Sequence, residues 1–189
     1  DLEYLNQAKI LHLSSFAAPA QFDLQREVLA ILSSQVKVSF APGALYARQG
    51  WQALAPLLKK TDILFLNQHE MKELTGEGFE PGAQRCLEQG CRTVVVTLGK
   101  GIGRGKPAVC YLTDGHEEHF IEARRSKSKP AVDTTGAGDA FAAGFLYGLL
   151  RGKDIKECGL LGQTMAEFAI SELGARAGLP TLAQLSLAV

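Results

Sequence analysis

Asp133-Thr134-Thr135-Gly136-Ala137-Gly138-Asp139-Ala140-Phe141-Ala142-Ala143-Gly144-Phe145 is the stretch around which the chain is organised. It reads as a tight loop of small residues running directly into a helix from about Gly138 to Arg151. Gly136, Ala137 and Gly138 let backbone N–H groups approach a ligand closely. The helix behind them aims its free N–H groups and the positive end of its dipole at the loop. Such a corner binds anions, phosphate above all. Asp139 falls in the first helical turn. A carboxylate there gains about 0.3–1 kcal/mol from the dipole, yet it repels an anion bound beside it. A base that takes a proton from a hydroxyl attacking a phosphoryl group accounts for its position. The other use of these residues is a small-residue loop that only caps a packed helix.

Upstream, strand and helix patterns alternate. Lys9-Ile-Leu-His-Leu-Ser14 is a short apolar run that reads as a buried strand. Residues 20–34 carry Phe22, Leu24, Val28, Leu29, Ile31 and Leu32 at helical spacing. Val36-Lys-Val-Ser-Phe40 alternates as a strand, ended by Ala41-Pro-Gly43. Residues 51–60 read as a helix with Pro56 as an awkward interior residue, expected to kink or delay it. Ile63-Leu-Phe-Leu66 is a third strand, fully apolar. This order predicts βαβ units and a parallel sheet covered on both faces.

Asn67-Gln-His-Glu70 follows that third strand directly. Asn67 suits a helix N-cap, and Glu70 stands at capping-box spacing. The place, at a strand's C-terminal end, is also where open α/β sheets bind ligands. A helix over 81–89 then leads to the strand Arg92-Thr-Val-Val-Val-Thr97 and the glycine-rich run Leu98 to Lys106. That run is not a P-loop, because Lys100 stands where the first glycine belongs and Pro107 follows Lys106. No helix opens after it, which excludes the dinucleotide fingerprint. Residues 107–113 and 117–121 read as a hairpin around Asp114-Gly115. Arg124-Arg-Ser-Lys-Ser-Lys129 reads equally as a solvated loop and as a local attraction for a phosphate-bearing ligand of the neighbouring anion corner. Downstream, Asp154 to Leu173 reads as a helix with Gly174 at its C-cap, and Pro180-Thr-Leu starts a terminal helix. Met165 and Phe168 read as core.

The stretch from Asp133 to Leu146 resembles the C-terminal signature of the ribokinase (PfkB) family of sugar and nucleoside kinases. Two further motifs are similar to that family: Asn67-x-x-Glu70 and Thr97-Leu98-Gly99 followed closely by Gly101. The resemblance implies a ribokinase-like (Rossmann-like) α/β fold, a three-layer sandwich with a mostly parallel sheet. It implies Asp139 as catalytic base and Gly136, Ala137 and Gly138 as an anion hole for the transferred phosphoryl group. It implies nucleotide contacts at Asn67, Thr97, Gly99, Gly101 and Gly138, and Mg2+ organised through water by Glu70. Gly174-Ala-Arg-Ala-Gly178 resembles the family's turn beneath the adenine and near a monovalent-cation site. Asp133 and Thr135 would help hold that cation, K+ for instance. The implied reaction is ATP-dependent phosphorylation of a hydroxyl on a sugar, with adenosine or another nucleoside as the alternative acceptor. A nucleotide-binding module without catalysis, or an interaction piece that needs a complementary chain, stand as readings of other classes.

The chain of 189 residues is one domain's worth, and 46% hydrophobic content supports a sizeable core. Twenty basic and twenty acidic residues give no argument for a nucleic-acid partner. No apolar run is long enough for a membrane helix. The four cysteines match no zinc template and read as free thiols of a reducing cytoplasm. His116 and His119 sit on the hairpin and supply too few ligands for a metal.

The resemblance runs from Lys9 to about Leu185 and corresponds to the C-terminal part of a ribokinase-like protein. Family members carry a further N-terminal region with sheet strands and a substrate-gripping lid. Together with an opening Asp1 in place of Met, this predicts a processed or truncated kinase domain, incomplete on its N-terminal side. A homodimer is one assembly open to the complete protein. Ala41 departs from the Asp that many relatives have before Pro.

Overall fold

The apolar run after Lys9 forms β1 (Ile10–Ser14), and Lys37–Ala41 and Ile63–Asn67 form β2 and β3. β1 pairs in parallel with β2, His12 opposite Ser39, and β2 with β3, Phe40 opposite Leu64. The connections are helical, α2 (Pro19–Ile31) and α4 (Trp51–Leu58), as parallel neighbours require. This computed structural model describes residues 1–102, 107–122 and 131–188. The remaining elements are α1 (Leu2–Asn6), α3 (Gly43–Ala47), α5 (Gln68–Thr75), α6 (Phe79–Gln89), β4 (Thr93–Ile102), β5 (Ala108–Thr113), β6 (Glu118–Glu122), α7 (Ala137–Leu150), α8 (Ile155–Ala169) and α9 (Leu182–Ala188). The strands lie in one six-stranded sheet in the order β1-β2-β3-β4-β5-β6. The basic run Arg124–Lys129 and the end of the glycine-rich run, 103–106, lie outside the described residues.

The chain divides into two compact units, Asp1–Val96 with Thr113–Glu118, and Thr97–Leu112 with His119–Val189. In the first, Phe40, Leu54, Leu57, Leu58, Leu64 and Met71 are fully buried. Tyr46 joins them, its ring edge-on to Phe22 at 4.9 Å. In the second, α7 and α8 pack through small residues. A Cβ on Gly144 would come within 2.7 Å of the Leu161 carbonyl oxygen, and one on Gly162 within 2.8 Å of the Phe141 ring. Glycines there let the backbones approach, and Phe141 and Phe145 fill the space beside them.

Several expectations need correction. Helix α8 stops at Ala169, not Leu173, and its C-cap is Ile170, not Gly174. The reason is a competing turn: Ser171 donates from both N–H and Oγ to the Phe168 carbonyl, and Val132 N–H takes the Ile170 carbonyl. Gly174 instead occupies the left-handed region at φ +87° within that turn. Strand β4 continues past Thr97 to Ile102, through Gly99 and Gly101, both at positive φ. Pro56 does not delay α4, which starts at Trp51 and runs through it. The short α1 and α3 carry no periodicity long enough to read in advance. The four cysteines are free and buried. Burial pushes the Cys86 thiol up to about 12 and Cys158 up to about 11, which makes them poor nucleophiles at neutral pH. Among the described residues no helix is long and apolar enough to cross a membrane.

Candidate active site

Helix α7 begins on Gly136, which sits at φ +76° as N-cap and makes no side-chain cap hydrogen bond. The left-handed conformation needs glycine, and so does the space: a Cβ here would lie 2.7 Å from the Ala175 Cβ and 3.0 Å from its Cα. The turn 134–137 closes through Ala137 N–H donating to the Thr134 carbonyl at 3.2 Å. The next two N–H groups, of Gly138 and Asp139, have no acceptor among the described residues. They are the donors that every helix start leaves over. Gly138 differs from Gly136 in kind. Among the described residues a Cβ on Gly138 would meet nothing within 4 Å, so the side of the helix start at Gly138 is open. The expectation that small residues bring backbone donors up to an open corner therefore has a geometric basis at 136–138.

Asp139 is exposed in that first turn. It lines a pocket of about 390 Å3 together with Gly136, Ala143, Met165, Arg176 and Leu179. Most of the lining is apolar in type, and Asp139 and Arg176 are its two charged members among the described residues. Sequence reasoning left Met165 to the core and gave Arg176 no role. The glycine-flanked Arg of Gly174-Ala-Arg-Ala-Gly178 was the available signal, since a flexible turn beside a helix start is a place where a cation reaches a ligand.

Asp133 and Thr135, the residues expected at a monovalent cation, hydrogen-bond to each other, and the contact has a structural use. Asp133 Oδ1 accepts from Thr135 N–H at 2.9 Å and from its hydroxyl at 2.7 Å. Oδ2 accepts from Gly174 N–H at 2.9 Å, tying the 133–136 loop to the turn after α8. These hydrogen bonds, the Thr135 ones first, hold the Asp133 carboxyl below its ordinary value. Thr97, Gly99 and Gly101 lie on β4 in the same unit, and none of them lines the pocket at Asp139.

In the other unit, Asn67 and Glu70 form a complete capping box on α5. Asn67 Oδ1 accepts from His69 N–H at 2.9 Å and Glu70 N–H at 2.8 Å, and Glu70 Oε2 accepts from Asn67 N–H at 3.0 Å. Burial raises the Glu70 carboxyl above its ordinary value, the Asn67 hydrogen bond opposing it in part. Glu70 Oε1 has no partner among the described residues. One oxygen in the cap and one free suits a carboxylate that meets a cation through water. Among the described residues no group of three or more His, Cys, Asp or Glu could hold a metal directly.

The profile of the pfkB family carbohydrate kinases matches residues 1–182. A protein of Archaeoglobus fulgidus described as an uncharacterized sugar kinase is 39% identical over 180 residues, 95% of this chain and 68% of that protein. A cytidine kinase of Thermococcus kodakarensis is 33% identical over 91% of this chain and 58% of its own length. The structure of Arabidopsis thaliana ribokinase complexed with ribose and ATP superposes with a TM-score of 0.81 at 26% identity, covering 99% of this chain and 57% of the ribokinase. The chain thus spans roughly three fifths of the length of these relatives.

Proposed function

The chain belongs to the pfkB family of carbohydrate kinases, and on that premise we propose that it carries the nucleotide-binding and catalytic elements of an ATP-dependent kinase acting on a hydroxyl of a sugar. The observation that carries this reading is Asp139 in the first turn of α7, beside two free backbone donors and at the mouth of an open pocket. The reaction is ATP + R–OH → ADP + R–O–phosphate + H+. Asp139 takes the proton from the attacking hydroxyl. Gly138 and Asp139 N–H, with the α7 dipole behind them, meet the charge that builds on the passing phosphoryl oxygens. Gly136 and Ala137 form the turn that aims those donors. Phosphoryl transfer is chiefly positioning and charge stabilisation, and this corner is built for both.

ATP supplies the phosphoryl group, and Mg2+ supplies neutralisation of its charge. Asn67 and Glu70 would hold the metal through water, by way of the free Glu70 Oε1. Thr97, Gly99 and Gly101, spaced along β4 from its middle towards its C-terminal end, would contact the nucleotide. The negative charge held on Asp133, with the Thr135 hydroxyl beside it, supports a monovalent cation there. Replacing K+ by a large organic cation tests that part. The acceptor reading rests on the family description and the sugar-kinase relative, and the cytidine kinase keeps a nucleoside as the second reading. A cytoplasmic location and action as one kinase domain belong to the same proposal.

The test is Asp139→Asn in the complete protein, including any residues that flank this chain, with sugars and nucleosides screened as acceptors. Turnover is expected to fall by about 10²–10⁴-fold while ATP affinity stays nearly intact. Loss of ATP binding in step with turnover would make Asp139 structural. ATP binding by the parent protein without transfer to any acceptor would favour a nucleotide-binding module.

A further inference from the structure

The pocket at Asp139 contains two opposite charges that do not pair. Asp139 and Arg176 both line it, and neither side chain makes a hydrogen bond or ion pair with any described residue. The rest of the lining among the described residues is glycine, alanine, Met165 and Leu179, none of them charged. An Arg and an Asp facing one small volume ordinarily close on each other. Held apart across about 390 Å3, they leave room for a ligand that offers a proton donor to one side and an anion to the other.

The proposed reaction needs such a counter-charge. Asp139 repels any phosphate brought within its reach, and the Gly138 and Asp139 N–H groups return only the partial charge of a helix end. A guanidinium returns a full charge and a planar fork of donors matched to phosphate oxygens. Arg176 sits in a turn whose position is set by Gly174 N–H donating to Asp133 and by Ala175 packed against Gly136. The same contacts that shape the anion corner therefore place the arginine.

We infer that Arg176 is a phosphate-binding residue of this site, a deepening of the kinase reading that rests on it. The ligand chemistry is a tetrahedral phosphate. It belongs either to the polyphosphate of the donor or to a phosphorylated acceptor.

The experiment is calorimetric titration of the chain with tripolyphosphate, Mg–ATP, adenosine and a sugar monophosphate, repeated for Arg176→Ala, Arg176→Lys and Gly138→Val. Arg176 is exposed, so its variants keep the fold, and a thermal melt checks this. Arg176→Ala is expected to weaken tripolyphosphate and Mg–ATP about tenfold or more, with adenosine unchanged and part of the loss restored by Lys. Weakening confined to the sugar monophosphate also supports the inference and assigns the phosphate to the acceptor. If Arg176→Ala binds every phosphate probe like the parent while Gly138→Val does not, the anion corner stands and the role of Arg176 falls. Loss of adenosine with tripolyphosphate intact likewise overturns it. If the parent binds no phosphate probe, or Gly138→Val changes nothing, the reading of the corner falls together with it.

Discussion

Helix α5 and helix α7 start in opposite ways. At α5, Asn67 and Glu70 accept and return hydrogen bonds until the first turn is closed on itself. Helix α8 does the same with Asp154 and Glu157. At α7 the N-cap is a left-handed glycine with no side chain to give, and the first-turn N–H groups of Gly138 and Asp139 have no acceptor among the described residues. A capped start gains about 0.5–2 kcal/mol and leaves fewer donors for a ligand. An uncapped start forgoes that stability and keeps a dipole end and free N–H groups available. The contrast separates, within one chain, a helix start closed by its own side chains from one whose first-turn donors are left without an acceptor among the described residues.

The largest expected effect comes from filling the α7 start. Gly136→Val forces a β-branched residue to φ +76° and drives its Cβ into Ala175. Strain and overpacking together predict a loss of about 2–5 kcal/mol, read from the guanidinium midpoint. A loss below about 1 kcal/mol would mean that the 136–175 contact yields easily. Next is Asn67→Ala, which removes the acceptor for His69 and Glu70 N–H and is expected to cost about 1 kcal/mol by the same measurement. A neutral result would erase the contrast from the α5 side. Gly138→Ala is the smaller and sharper change. Nothing crowds a Cβ there, so stability should hold or rise by up to about 1 kcal/mol. Phosphate binding should fall all the same, because the methyl group projects into the space an anion needs. Unchanged tripolyphosphate affinity would place the anion elsewhere.

Much of the fold was legible because burial imposes period. Ile63-Leu-Phe-Leu66 is apolar at every position, which only a strand covered on both faces requires, and β3 is buried along nearly all its length. The box at Asn67 was legible too, since its spacing is local. What escaped detection depended on distant partners. The end of α8 is decided by Val132 and by Ser171 turning back on Phe168, and no periodicity within 154–173 carries that information. Gly174 suits a C-cap by identity, yet its N–H goes to Asp133, 41 residues away in sequence. Arg176 was overlooked for the same reason. An exposed arginine in a turn acquires meaning only from the carboxylate it shares a pocket with, and Asp139 lies on α7, far from it in sequence.

The smallest effects concern acid, where Asp133 and Glu70 carry opposite signs. Asp133 is held below its ordinary value of 3.8 by the Thr135 and Gly174 donors. Its contribution is present above 3.8 and disappears as pH falls through the lowered folded value. Glu70 is held above its ordinary value of 4.5 by burial. Its contribution is fully present below 4.5 and is lost as pH rises through the raised folded value. Urea midpoints between pH 7 and pH 3 should therefore diverge. Asp133→Asn should show a deficit against the parent at neutral pH that closes below 3.8. Glu70→Gln should stand best relative to the parent at neutral pH, because the amide keeps an oxygen for Asn67 N–H without burying a charge, and it should lose ground as the parent's carboxyl protonates. Parallel profiles for the two variants would mean that the two carboxylates are perturbed alike. That would undo the claim that one sits at a start closed by its own capping box and the other in a loop tied to the turn after α8 by its donors.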